Sequence, residues 1–248
     1  MAYPTPENQR DGARMRAILI LVATIAFASA PFWSGGFGGF DTEAFPVPLN
    51  DPATQPAGYV FSIWGIIYVW LLVSAAFGLL ARAEDASWDT GRWWLIASLV
   101  LGTPWISVAI QSPVWATFLI LGMLCTALRA LWLTPPHDRW VLRLPIGLYA
   151  GWLTAATGVS VSVLLAGYGA GGLWSATGLF LALLGGLAVQ LSLLGAPTYG
   201  IAIAWGLLGV ATKNLYTNGV TLTVMALIVA ALLLWAAFRS EAQANRSA

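Results

Sequence analysis

The sequence predicts an all-α integral membrane protein, and three observations carry that prediction. Charged residues make up 8% of the 248 positions and hydrophobic residues 59%, with a mean hydropathy of +0.78, whereas a soluble domain carries roughly 25% charged residues. The apolar residues fall into eight runs, each about long enough to cross the roughly 30 Å hydrocarbon core as a helix. Alternating those runs from an inner amino terminus puts Arg10, Arg14, Arg16, Arg82, Arg92, Arg129, Arg139, Arg143, Arg239 and Arg246 inside and leaves Lys213 outside, the bias expected of cytoplasmic loops. Both termini are therefore expected in the cytoplasm of a multi-pass cell-membrane protein, with the loop between the first two runs external.

Residues 1–16 read as a polar cytoplasmic tail. The run Ala17 to Trp33 follows, and Ala28-Ser29-Ala30 resembles a small-residue cleavage site. A retained helix is the preferred reading over a signal peptide, because Pro31 directly follows the would-be cut and no soluble domain comes after it. Gly35-Gly36-Phe37-Gly38-Gly39 reads as a flexible connection; no strand precedes it, so a phosphate-binding loop is disfavoured. The external loop continues through Asp41, Glu43 and Asp51 to Pro56-Ala57-Gly58, which opens the second helix, about Tyr59 to Ala81. Phe61, Trp64 and Tyr68 lie at i, i+3 and i+7 there, so the three rings share one helical face. They suit an interfacial aromatic belt or the wall of a binding site.

The third helix is expected over about Trp93 to Ile110, bent by Pro104 beside Trp105. Gln111-Ser112-Pro113 turns into the fourth, about Val114 to Leu133, and the fifth runs from Arg143 to about Ala166. Gly147, Gly151 and Ala155 recur every four residues on the fifth, as Gly178, Ala182 and Gly186 do on the sixth (about Leu173 to Leu194), a spacing that lets helix backbones approach closely. Pro197 to about Lys213 forms a seventh segment barely long enough to span, and Val220 to Phe238 an eighth, ahead of a cytoplasmic tail at 239–248.

Several function classes are disfavoured by what the runs lack. A net charge of +1 with no basic face argues against a nucleic-acid partner. No Asp or Glu falls mid-span, whereas proton-coupled transporters commonly keep an intramembrane carboxylate. Lys213 sits at a helix end without a helical counter-ion, which disfavours a retinal Schiff base. Cys125 is the only cysteine, and His137, beside Pro135 and Asp138, reads as a solvated loop residue. Thr154, Thr157, Ser160, Ser162 and Gln190 read as hydrogen-bonding links between helices.

The stretch Pro56-Ala57-Gly58-Tyr59-Val60-Phe61 with Trp64 and Tyr68 resembles the signature of the translocator-protein (TspO/MBR, tryptophan-rich sensory protein) family. The similarity continues through Gly102-Thr103-Pro104-Trp105, the turn Gln111-Ser112-Pro113, and Pro145, Tyr149, Trp152 and Thr154. It departs from the family pattern at Gly102 and Thr157, where that family usually has Asn. The resemblance implies a TspO-like five-helix bundle over about 17–166, followed by a three-helix extension at 167–238. It further implies an apolar cavity, capped by the first loop, that binds a flat hydrophobic ligand of tetrapyrrole or porphyrin type. On that basis the candidate ligand-binding residues are Tyr59, Phe61, Trp64, Tyr68, Trp105 and Trp152, with no catalytic or metal-ligating residue. The cofactor implied is a bound porphyrin or haem-like molecule; the partners are membrane lipid, a small hydrophobic ligand and, as an open option, a second copy of the chain. A sensor or regulator leads the functional readings, a carrier of small hydrophobic molecules comes second, and a membrane enzyme acting on a bound tetrapyrrole or lipid third.

Overall fold

The computed structural model describes residues 6–49, 51–135, 137–216 and 219–246. Its helices are α1 (Pro6–Ser34), α2 (Ile63–Ala81), α3 (Ala86–Gly102), α4 (Trp105–Gln111), α5 (Pro113–Trp132), α6 (Arg143–Gly167), α7 (Thr177–Ser192), α8 (Pro197–Tyr216) and α9 (Val220–Arg246). No strand occurs among the described residues. By length and composition, seven helical segments can cross a membrane, α3 and α4 counting together as Ala86–Gln111. α8 is not one of the seven, although its 20 residues reach about 30 Å.

Several boundaries differ from the sequence expectation. α3 starts at Ala86 instead of Trp93, because the Asp85 carboxylate caps it by accepting the Ser87 N–H at 2.9 Å. The helix can then include Asp89 and Arg92, since Arg16 of α1 pairs with Asp89 and closes one pair of charges. Pro104 does more than bend the third span: it has no N–H to continue the ladder, so α3 stops at Gly102 and α4 restarts at Trp105. α2 is preceded by a tight 3-10 turn over Gly58–Ser62 and α7 by another over Gly172–Ala176. α1 and α9 carry on into the stretches expected as tails, of which residues 1–5 and 247–248 lie outside the described residues.

α6 is the axis of the bundle. In its membrane-crossing window 72% of residues are buried, against 33–44% in the other six, and it packs against α2, α5, α7 and α8. Small residues make this crowding feasible. A Cβ added at Gly147 would lie 2.6 Å from Thr198 Oγ1 on α8, and one at Gly151 would overlap the Tyr199 carbonyl. A Cβ at Gly178 of α7 would lie 2.6 Å from Val161 on α6. Three of the five intramembrane polar residues do link helices. Thr154 shares a 2.9 Å hydrogen bond with the Tyr199 hydroxyl, and Ser162 Oγ accepts the Leu179 N–H. Gln190 accepts the Gly200 N–H at 2.7 Å and donates to Ser240 on α9.

Most of the ion pairs gather at one end. Arg10 approaches Glu84, Arg16 pairs with Asp89, Arg82 with Asp138 at 2.7 Å, and Arg139 with Glu241. These contacts gather the start of α1, the α2–α3 connection, the α5–α6 loop and the end of α9. Arg92 is 3% exposed and donates to the carbonyls of Gly78, Arg82, Ala83 and Ala13, so one guanidinium closes the end of α2 against α1. At the opposite end, the loop after α1 is tied down by Lys213 Nζ, which meets Asp51 at 2.5 Å and the Pro52 carbonyl at 3.0 Å. Asn214 Nδ2 donates to Ala53, and Val47 N–H to the Gly167 carbonyl.

Candidate functional site

Beneath that loop lie two adjoining hollows, of about 60 and 220 Å³. Phe37, Phe61, Trp64, Trp105 and Ile120 form walls common to both. Trp152 faces the smaller hollow and Tyr68 the larger. Five of the six residues singled out in the sequence are therefore brought together from α2 and its leading turn, α4 and α6. Tyr59 is not among them. It is 48% exposed, its hydroxyl lies 3.1 Å from Thr212 Oγ1, and its ring packs edge-on against Trp205 of α8.

The helical spacing on α2 works as expected for two of its rings. Trp64 and Tyr68 stack at 5.4 Å and 18°. Phe61 sits in the preceding 3-10 turn and meets Trp152 edge-on at 6.0 Å; Trp64 meets the same indole at 6.1 Å, also near perpendicular. Trp105 is held by its own N–H, which donates to the Ala116 carbonyl at 2.9 Å and joins α4 to α5. Such edge-to-face pairs favour a fixed arrangement over loose contact.

Three rings that sequence reasoning passed over complete the walls. Phe27 of α1 is 4% exposed and packs edge-on against Trp64, Tyr68 and Tyr149 at 5.4–5.9 Å. It occupies the space beside Gly102, where a Cβ would lie 2.6 Å from its ring; a side chain at that position and this phenylalanine exclude each other. The spacing of Ile20, Ala23, Phe27 and Ala30 on one face of α1 was the available signal. Phe37 and Phe40 come from the glycine-rich loop, Phe37 packing on Trp105 at 4.8 Å. That loop turns through Gly35, Gly36 and Gly39, all at positive φ, which glycine adopts without strain. No periodicity marks such residues in advance.

The smaller hollow is also walled by Leu179 of α7 and by Gly206, Leu207 and Val210 of α8. A third space of about 280 Å³ opens above it, lined in part by Asp51 and sharing Phe40, Gln55 and Val163 with it. Among the described residues, the two inner hollows have Gln55, Ser160 and Tyr68 as polar lining besides indole nitrogens, and no acid, histidine, lysine or cysteine. Such a site suits binding by ring packing and area burial.

Residues 16–239 match the model of a family described as TSPO-like protein. The chain belongs to the TSPO-like family. It is a multi-pass membrane protein, in keeping with its seven apolar spans. No curated protein and no solved structure gives a significant match. The TSPO-like match runs through α7, α8 and α9, so it draws no line between a five-helix core and an extension. At Thr157, one of the two departures from the family pattern, this TSPO-like protein has a buried hydroxyl without a hydrogen-bond partner.

Proposed function

We propose that this TSPO-like protein is a cell-membrane sensor or regulator that binds a flat hydrophobic ligand, of tetrapyrrole type, between Trp64, Trp105, Trp152, Phe61 and Tyr68. The observation that carries this reading is the convergence of rings from α1, α2, α4 and α6 on adjoining hollows roofed by Phe37 and Phe40. The hollows fall short of the roughly 300–1,000 Å³ of common small-molecule sites, so a tetrapyrrole enters only as Phe37 and Phe40 swing out on their glycine flanks. The arginine-rich end faces the cytoplasm with both termini, and the roofing loop faces outward.

Titration of the purified protein with protoporphyrin, followed by quenching of tryptophan fluorescence, tests the reading. Each ring contact is worth about 0.5–1.5 kcal/mol beyond its burial, so Trp64→Leu and Trp105→Leu should each weaken binding by roughly tenfold or more while helicity is retained. Affinity unchanged in both variants would refute the site. A carrier role is the second reading, favoured by the outer space that adjoins the hollows at Phe40 and Gln55. It predicts saturable uptake of labelled ligand into vesicles, where a sensor shows binding alone.

A further inference from the structure

Lys213 is the single lysine of the chain, and its ion pair is lopsided. The lysine side chain is 13% exposed, whereas that of Asp51, which it meets at 2.5 Å, is 68% exposed. Lys213 cannot withdraw, because its backbone belongs to α8 and the next residue, Asn214, is buried and donates to the carbonyls of Ala53 and Val210. Asp51 can. It stands at a φ of 53°, a left-handed conformation that residues with a β-carbon adopt at a cost, and its carboxylate has water at hand. The cation of this pair is fixed and the anion is replaceable.

The pair also stands at the way in. Asp51 and Pro52, both bonded by Lys213 Nζ, line the outer space of about 280 Å³, which shares Phe40, Gln55 and Val163 with the smaller hollow. Among the described residues no arginine or histidine lines any of the three spaces, so Lys213 is the counter-charge that this end offers to a ligand's acid. A largely buried charge left without a partner is strongly unfavourable; an incoming carboxylate spares the lysine that state by replacing one anion with another. A cationic ligand has no equivalent route, since pairing with Asp51 would set its charge beside Lys213 or leave that lysine unmet. We propose that Lys213 is a specificity-determining residue of the site, and that the ligand is an acid whose carboxylate takes the place of Asp51 on Lys213 Nζ. Because the rings border the inner hollows and the lysine borders the outer space, that carboxylate stands off from the flat apolar body on a flexible arm. The exchange frees the loop that carries Phe37 and Phe40, so the ligands that pair with the lysine are those that loosen the roof. This inference rests on the ligand-binding reading above and deepens it by fixing the charge of the ligand's arm.

Protoporphyrin and its dimethyl ester share one macrocycle and differ in the charge of two propionate arms. Their affinities for the intact protein in nanodiscs of zwitterionic lipid are measured by quenching of tryptophan fluorescence and corrected for partition into lipid. Wild type should bind the diacid about tenfold more tightly than the ester, the worth of one charge-assisted hydrogen bond less the contact that Asp51 gives up. Lys213→Met should bring the two affinities within about twofold of each other, and Lys213→Arg should keep them apart. Asp51→Asn tolerates the same backbone conformation but removes the competing charge, and should widen the preference by a further factor of about two to five, the worth of a largely exposed ion pair. A role in fastening the loop alone would move both variants the same way. Equal affinities in wild type, a preference that survives Lys213→Met, or a preference that Asp51→Asn leaves unmoved or narrows overturns the proposal. Trp64→Leu separates the two readings. If it weakens both probes while wild type binds them equally, the ring site stands and the acid rule falls; if neither probe binds wild type, both fall.

Discussion

Asp138 shows how much one carboxylate can fasten. It accepts from Arg82 Nε at 2.7 Å and from the Trp88 indole at 3.1 Å, so a residue of the α5–α6 loop holds the end of α2 and the start of α3. The Arg82 hydrogen bonds hold its carboxyl below the ordinary value of 3.8, and the Ser87 hydroxyl does the same for Asp85. Because the folded state lowers these values, the stability they confer is complete above about pH 4 and is lost as the pH falls further. The melting temperature in detergent should therefore drop below pH 4, and Asp138→Asn should show a lower melting temperature at pH 7 with a shallower acid decline. An identical acid slope in wild type and variant would contradict this. At the same scale, helical spacing and a family signature pointed to the rings of α2, α4 and α6 that line the hollows. They pointed to Tyr59 as well, whose hydroxyl the structure sets against Thr212 of α8, 153 residues distant in sequence.

α8 is the element that hydropathy alone undervalues. A helix that faces lipid must be greasy all round, whereas one enclosed by other helices needs only to fit. α8 lies against α6, α7 and α9 with Tyr199, Ala202, Ile203, Gly206 and Val210 buried, so glycine and alanine stand where a lipid-facing span carries leucines. The glycine spacing on α6 was legible as a close-packing surface; which helix it receives was not, since any helix with a small or notched face satisfies the pattern. Gly151 carries the closest approach, and Gly151→Ala should destabilise the protein by about 1–3 kcal/mol through overpacking. Gly185 on α7 is the control: a Cβ there meets nothing within 4 Å, so Gly185→Ala should be neutral or gain up to about 1 kcal/mol from helix propensity. Thermal unfolding of the two variants side by side checks both. Likewise, Pro104 reads in the sequence as a bend, whereas in the structure the helix breaks there and Trp105 is tied to α5 through Ala116.

Across the whole molecule, the two ends differ in what holds them. Ion pairs close the arginine-rich end, while the roofed end is closed by rings and one lysine. Seven crossings would put the termini on opposite sides of the membrane and eight on the same side, and the Arg10, Arg16, Arg82 and Arg139 contacts gather the start of α1 and the end of α9 at one end of the bundle. Reporters fused to the two ends should accordingly register the same compartment, and opposite readings would show that α8 does not cross. The tie between Lys213 and Asp51 has a wider implication. The strap over the hollow is knotted to a helix that the shorter bundle does not contain, and that helix also furnishes one side of the chamber. A chain cut after Gly167 would keep most of its tryptophans yet stand open along a flank with its cover adrift. In this chain the last third of the polypeptide is thus part of the chamber wall and of the fastening of its cover.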